Sequence, residues 1–251
     1  MLTLLLAATT LAQAAPQFEA ASVRRHVGYT NGMGSLNGRG SLKVTSPQIQ
    51  LDGYTLYGLL LCAYGLRDYQ LSLGNTIRPE DVLDTLYDVR AKAPGESIPA
   101  VNDVRAMLRD LLGERFELKL RTETKEMPVY SLTSKKPLTL SKGLGECILS
   151  ERPAADGRNR EMTFTHCPIE RLTHKLQLLL DDHRPVIDNT GLTGAYDFSI
   201  VAIPEYARRT SSESSDVSAI SAVLDLGLKL EARKSPIEVL IVEHVSKLKE
   251  N

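Results

Sequence analysis

The residue types that come nearest to chemistry stand at positions 188–191, Asp-Asn-Thr-Gly, because Asp-Thr-Gly motifs supply the paired carboxylates with which aspartic proteases share one proton. An Asn interrupts the motif here, the first half of the chain has no partner motif, and Asn-Thr-Gly is ordinary turn sequence. Asp188 is read as a turn residue. His166, His174 and His183 lie close to Cys167, which raises the question of zinc. On a helix, however, His174 and His183 are about two and a half turns apart and point to opposite sides. His26 and His244 have no ligand set nearby in sequence. Residues 32–40, Gly-Met-Gly-Ser-Leu-Asn-Gly-Arg-Gly, resemble a phosphate cradle only in glycine content, since they lead into a strand and not into a helix N-terminus. Neither a Gly-x-Ser-x-Gly elbow nor a His-Glu-x-x-His helix is present. The expectation is no catalytic residue, no cofactor site and no metal site.

Thirty basic and 31 acidic residues leave a net charge of −1, which argues against a nucleic-acid binder, whose footprint is a basic excess. Residues 1–15 are uncharged, mostly apolar and end in Ala-Gln-Ala before Pro16, the pattern of a secretory leader although without its usual basic start. The apolar run is too short for a transmembrane anchor, which needs about 20 residues. An exported protein, periplasmic or extracellular, without a stable span after leader removal, is expected. Cys62 sits in an apolar run and reads as a small buried hydrophobe. Cys147 and Cys167 flank a polar segment, and in an oxidising compartment they can either close a disulfide worth roughly 3 kcal/mol in the chain-entropy model or remain free thiols.

The elements that must position these residues follow from periodicity. Strands are expected at 18–23, 42–44, 49–51, 69–73 and 87–91. Helices are expected where Leu56, Leu59, Leu60, Ala63 and Tyr64, and later Val104, Met107, Leu108, Leu111 and Leu112, recur at helical spacing, with Gly65 and Gly113 as stops. Two further strands, 116–121 and 129–132, complete the set. Residues 135–161 hold prolines, glycines and charges with little periodicity and read as a connection. The order then starts again: strand 162–165, a helix carrying Ile169, Leu172, Leu176, Leu179 and Leu180, a short strand at Val186 and Ile187, turn chemistry at 189–194, strand 196–200, an exposed polar loop at 208–215, a helix carrying Val217, Ile220, Val223 and Leu224, and closing strands at 226–230 and 237–240. Phe-Glu-Leu-Lys-Leu at 116–120 matches Leu-Gly-Leu-Lys-Leu at 226–230, and Tyr87-Asp88 matches Tyr196-Asp197. These matches predict an α+β fold of two similar small lobes, each strand-helix-strand-strand-helix-strand-strand. The expected divisions are a leader at 1–15, a first lobe at 16–134, a connection at 135–161 and a second lobe at 162–251.

Two long motifs carry a resemblance. Residues 184–198, with Asp188, Thr190, Gly191, Gly194, Tyr196 and Asp197, and residues 226–245, with Pro236, are similar to the hallmarks of domain of unknown function family 3738. Residues 123–130, with Pro128 and Tyr130, and residues 18–23 fit it as well. Where that family often has Gly-Pro-x-Trp, residues 73–79 read Leu-Gly-Asn-Thr-Ile-Arg-Pro, and the chain has no Trp. The resemblance implies an exported bacterial protein from a group expanded in soil bacteria, sometimes attached to membrane metallopeptidases of the antibiotic-sensor type, with no established activity. The helix-strand unit is also similar to the short N-terminal module of secretins and TonB-dependent receptors, a fold-level analogy that transfers no site.

The expected function is thus an exported, non-enzymatic interaction or sensor module of cell-envelope signalling, whose exposed sheet edges or interlobe groove bind a protein or peptide. The alternatives are a cell-envelope hydrolase with a site built from acids such as Asp188 and Asp197, and a small-ligand carrier using a cleft between lobes. The low aromatic content, 5% with no Trp, counts against sugar stacking in such a cleft.

Overall fold

The computed structural model describes residues 16–28, 42–135, 138, 140–155, 159–180, 184–202 and 215–249. The proposed leader at 1–15, most of the glycine-rich segment at 28–40, His183 and the polar segment at 208–214 lie outside the described residues. The fold is mixed α+β, with more strands than helices. Two compact units divide the chain, one of Met1–Thr124 with Glu238–Asn251 and one of Lys125–Ile237.

The first unit holds a three-stranded antiparallel sheet in which β4 (Leu86–Lys92) lies between β1 (Ala20–Arg25) and β2 (Gln48–Thr55). Alternation places Val23, Ile49, Leu51, Tyr87, Val89 and Ala91 on one buried face. Two helices cover that face. Helix α1 (Leu56–Tyr64) starts directly from β2 because the Thr55 side chain accepts the Gly58 N–H, and it ends at Gly65 in left-handed backbone. After β3 (Leu71–Leu73) and the five-residue helix α2 (Pro79–Leu83), helix α3 (Val101–Phe116) buries Val104, Met107, Leu108, Leu111, Leu112 and Phe116. Each such side chain contributes about 1.5–3 kcal/mol on burial. Phe116 meets Tyr87 edge-on, with ring centroids 5.0 Å apart. The chain's last segment completes this unit: Leu240–Val242 pairs in parallel with β3, Val242 is fully buried, and Ser246 N–H donates to the Phe116 carbonyl.

In the second unit the antiparallel order is β6 (Ser141–Gly143), β10 (Ala195–Ala202), β8 (Arg160–Cys167), β7 (Ile148–Pro153). Phe164 of β8 stacks on Phe198 of β10 at 4.6 Å. Helix α4 (Ile169–Leu179) buries Ile169, Leu172, Leu176 and Leu179, and helix α5 (Ser215–Asp225) buries Ala219, Ala222 and Val223. The strand β9 (Val186–Asn189) pairs in parallel with residues 130–133 of β5 (Lys119–Ser134).

Several expectations are corrected. The strand pairs expected at 116–121 with 129–132, and at 226–230 with 237–240, are in each case one strand, β5 and β11 (Leu228–His244). Pro128 and Pro236, which fall between the two expected strands of each pair, lie inside these continuous strands. Phe116 belongs to α3, which runs past Gly113 and ends at Glu117, where the backbone is left-handed, while Gly113 has no positive φ. Residues 69 and 70 lie in a 3-10 turn and only 71–73 are strand, while residues 42–44 form none. Residues 135–161 are no mere connection, since they contain β6, β7 and the first residues of β8. β7 escaped detection because an edge strand with mostly exposed side chains shows no apolar alternation. The units divide after 124 and 237 instead of around 135–161, because the end of β11 pairs with β3.

Val242→Ala tests that last point. It should cost about 2 kcal/mol in urea unfolding and speed amide exchange in β3 and α3 more than in β8 and β10. Exposed Glu238→Ala should stay within about 0.5 kcal/mol of wild type.

Candidate functional site

Asp188 is the penultimate residue of β9 and turns its carboxylate onto the loop that follows. Its Oδ1 accepts the Thr190 N–H at 2.9 Å and the Thr190 hydroxyl at 2.7 Å, and Thr190 Oγ1 accepts the Leu192 N–H at 3.1 Å. Gly191 and Gly194 carry the left-handed backbone of this turn, and Tyr196 seals it by donating its hydroxyl to the Thr193 carbonyl at 3.1 Å. Asn189 donates to the buried Ser131 hydroxyl at 2.8 Å. Tyr130 N–H donates to the Pro185 carbonyl, and Arg184 lies 5.5 Å over the Tyr130 ring. Asp188, Thr190, Gly191, Gly194, Tyr196 and Tyr130 therefore assemble around one turn. Pro128 and Pro236 lie on β5 and β11.

Asp88 and Asp197 form a second kind of arrangement. Asp88 stands on β4, beside a register shift in β2 at which Gly53 has φ 67°. A bulge leaves a backbone donor outside the ladder. Here the Gly53 N–H donates to Asp88 Oδ1 at 2.9 Å, and His26 Nδ1 donates to the same oxygen at 2.7 Å. Partial burial works to raise the Asp88 pKa, but the bonds from His26 and Gly53 outweigh it and leave the group below the usual aspartate range.

Asp197 stands on β10 beside a register shift opposite β8, where His166 has φ 53°, an uncommon backbone for a residue with a side chain. The His166 N–H donates to Asp197 Oδ1 at 2.6 Å, while the ring Nδ1 lies 3.1 Å from that oxygen without hydrogen-bond alignment. Two glycines make room for the imidazole. A Cβ on Gly143 would stand 2.5 Å from His166 Nδ1 and 2.7 Å from Asp197 Oδ1, and one on Gly145 would stand 2.6 Å from His166 Cδ2. Next in sequence, Cys147 and Cys167 form a disulfide. Cys167 is therefore no thiolate ligand, and His166 faces a carboxylate and glycine backbone.

Comparison with known proteins bears on the same residues. The model of the family described as "Protein of unknown function (DUF3738)" matches residues 58–245, which include both central-strand aspartates and the Asp188 turn. The chain belongs to the DUF3738 family. No curated protein and no solved structure matches it. Within this DUF3738 chain, Asp197 and Asp188 were legible as motif positions, but the His26–Asp88 and His166–Asp197 contacts were not. The available signal was Gly53, an isolated glycine in an alternating strand, which marks a bulge. The thiol of Cys62 is also placed by the fold, fully buried in α1, where burial pushes it up to about 11 and leaves it a poor nucleophile at neutral pH.

Because the Asp88 pKa is depressed on folding, its contribution to stability is complete above the ordinary aspartate value, about 3.9, and is lost as the pH falls through the lower folded value. Asp88→Asn should thus destabilise at pH 7 by about 1–2 kcal/mol, with the difference shrinking below pH ~4 in urea titrations across pH. Separately, Gly143→Ala should cost about 1–3 kcal/mol by overpacking. Gly113→Ala, in open space on α3, should be neutral or stabilising by about 0.5–1 kcal/mol.

Proposed function

We propose that this chain is an exported, non-enzymatic interaction or sensor module of the cell envelope, and that it binds an extended segment of a protein by strand addition. The observation that carries this reading is β7. It pairs with β8 on one side and, among the described residues, with nothing on the other, and it exposes Ile148, Ser150 and Arg152. Unpaired backbone donors and acceptors on such an edge are a template for another strand. The acids suggested for a hydrolase support the reading from the other direction, since Asp188 and Asp197 each accept backbone N–H groups that hold turns in place.

The same reading includes an internal duplication. β4 stands between β1 and β2 as β10 stands between β6 and β8, each central strand has Tyr-Asp as its second and third residues, and each Asp accepts an N–H from the bulge that precedes a helix. Such a strand-helix arrangement is similar in kind to the short N-terminal module of secretins and TonB-dependent receptors, which works by binding other proteins.

Successive residues of a strand point their N–H groups to opposite sides, so one of Ser150→Pro and Glu151→Pro removes a ladder donor and the other an outward donor. The ladder variant should lower thermal stability. The outward variant should keep its melting temperature and lose at least tenfold in retention of an envelope partner. Equal partner binding by wild type and the stable variant would refute strand addition at β7. Turnover of cell-wall or peptide substrate by wild type, abolished in Asp188→Ala, would refute the non-enzymatic reading.

A further inference from the structure

The segment between β6 and β7 presents apolar side chains on a backbone that is held from several directions. Leu144 is 93% exposed and Ile148 57% exposed. A single exposed leucine on a loose loop is commonplace and signals nothing. Here the loop is not loose. Gly143 pairs with Ala195 of the central strand β10, the His166 imidazole packs beneath Gly143 and Gly145, and Cys147 is tied to the buried Cys167. His166 is itself fixed by its backbone bond to Asp197. Ordering a loop upon association normally subtracts from affinity, and a loop ordered in advance avoids that cost. The charges on either side of Leu144 are also unused: Lys142 and Glu146 are exposed, and among the described residues neither makes an ion pair.

We infer that residues 142–148 form a recognition epitope, in which Leu144 enters an apolar pocket of a protein partner and Ile148 covers the pocket's rim. The partner carries an acidic group facing Lys142 and a basic group facing Glu146. The opposed charges select a protein surface over an anionic bilayer, which would attract Lys142 and repel Glu146. This rests on the binding-module reading and names the partner's chemistry. It does not require the β7 edge to be the contact.

Full-length protein with a diazirine analogue of leucine at position 144, and separately at position 150, provides the test in intact cell envelopes, with circular dichroism confirming the fold of each. The expected result is a discrete protein adduct from position 144. With that protein purified, Leu144→Asp should weaken binding at least tenfold, and the pair Lys142→Glu with Glu146→Lys should weaken it about as much. Leu224→Asp, at a half-exposed leucine of α5, should leave binding unchanged. An adduct from 150 alone would overturn the epitope and leave the binding-module reading standing. Protein adducts from neither position would count against both. Adducts to lipid at 144, or binding insensitive to Leu144→Asp, would also overturn the epitope.

Discussion

A backbone N–H that leaves the ladder at a bulge must find another acceptor, and two aspartates on central strands supply it. In the first unit Asp88 receives the Gly53 N–H just before α1, and in the second Asp197 receives the His166 N–H just before α4. Each bulge shifts the register of pairing shortly before the chain turns into a helix that covers the sheet's buried face. Without the carboxylate, the bend would leave a part-buried donor unsatisfied, at a cost of about 1–3 kcal/mol. The entry of each main helix therefore depends on an acid carried by a strand some 30 residues distant in sequence.

The imidazoles enter the same accounting. His26 adds a second donor to Asp88, so one carboxylate oxygen holds both the bulge and the end of β1. His166 supplies the bulge donor itself, and its ring then needs space that only glycine leaves at positions 143 and 145. The disulfide at Cys147 and Cys167 closes the same neighbourhood. Polar residues that look reactive in isolation thus share one physical task, which is to fix backbone where regular pairing is interrupted. What they leave outward is an edge strand and a braced loop bearing Leu144.

Legibility in the sequence followed the strength of each periodic signal. The buried stripes of α1, α3 and α4 were readable because helical spacing of Leu, Met and Val has no other common cause. Asp188 was readable as a turn acid, since Asn-Thr-Gly follows it. β6 and β7 were not, because three residues or a mostly exposed edge give no alternation to detect. β5 and β11 each read as two strands, because the mostly polar residues 122–128 and 231–236 carry no apolar alternation, although both segments lie within continuous strands. The helix α2 is too short to produce a period at all.

The sequence by itself determined the mixed α+β class, the principal apolar faces, the Asp188 turn and the family, because these rest on local periodicity, turn chemistry and long motifs. Only the tertiary structure decided which strands are neighbours, that residues 238–251 belong with the first unit, and that His26 meets Asp88 and His166 meets Asp197. Those contacts join residues far apart in the chain, so no local pattern encodes them. They exist only once packing has set the register of one strand against another.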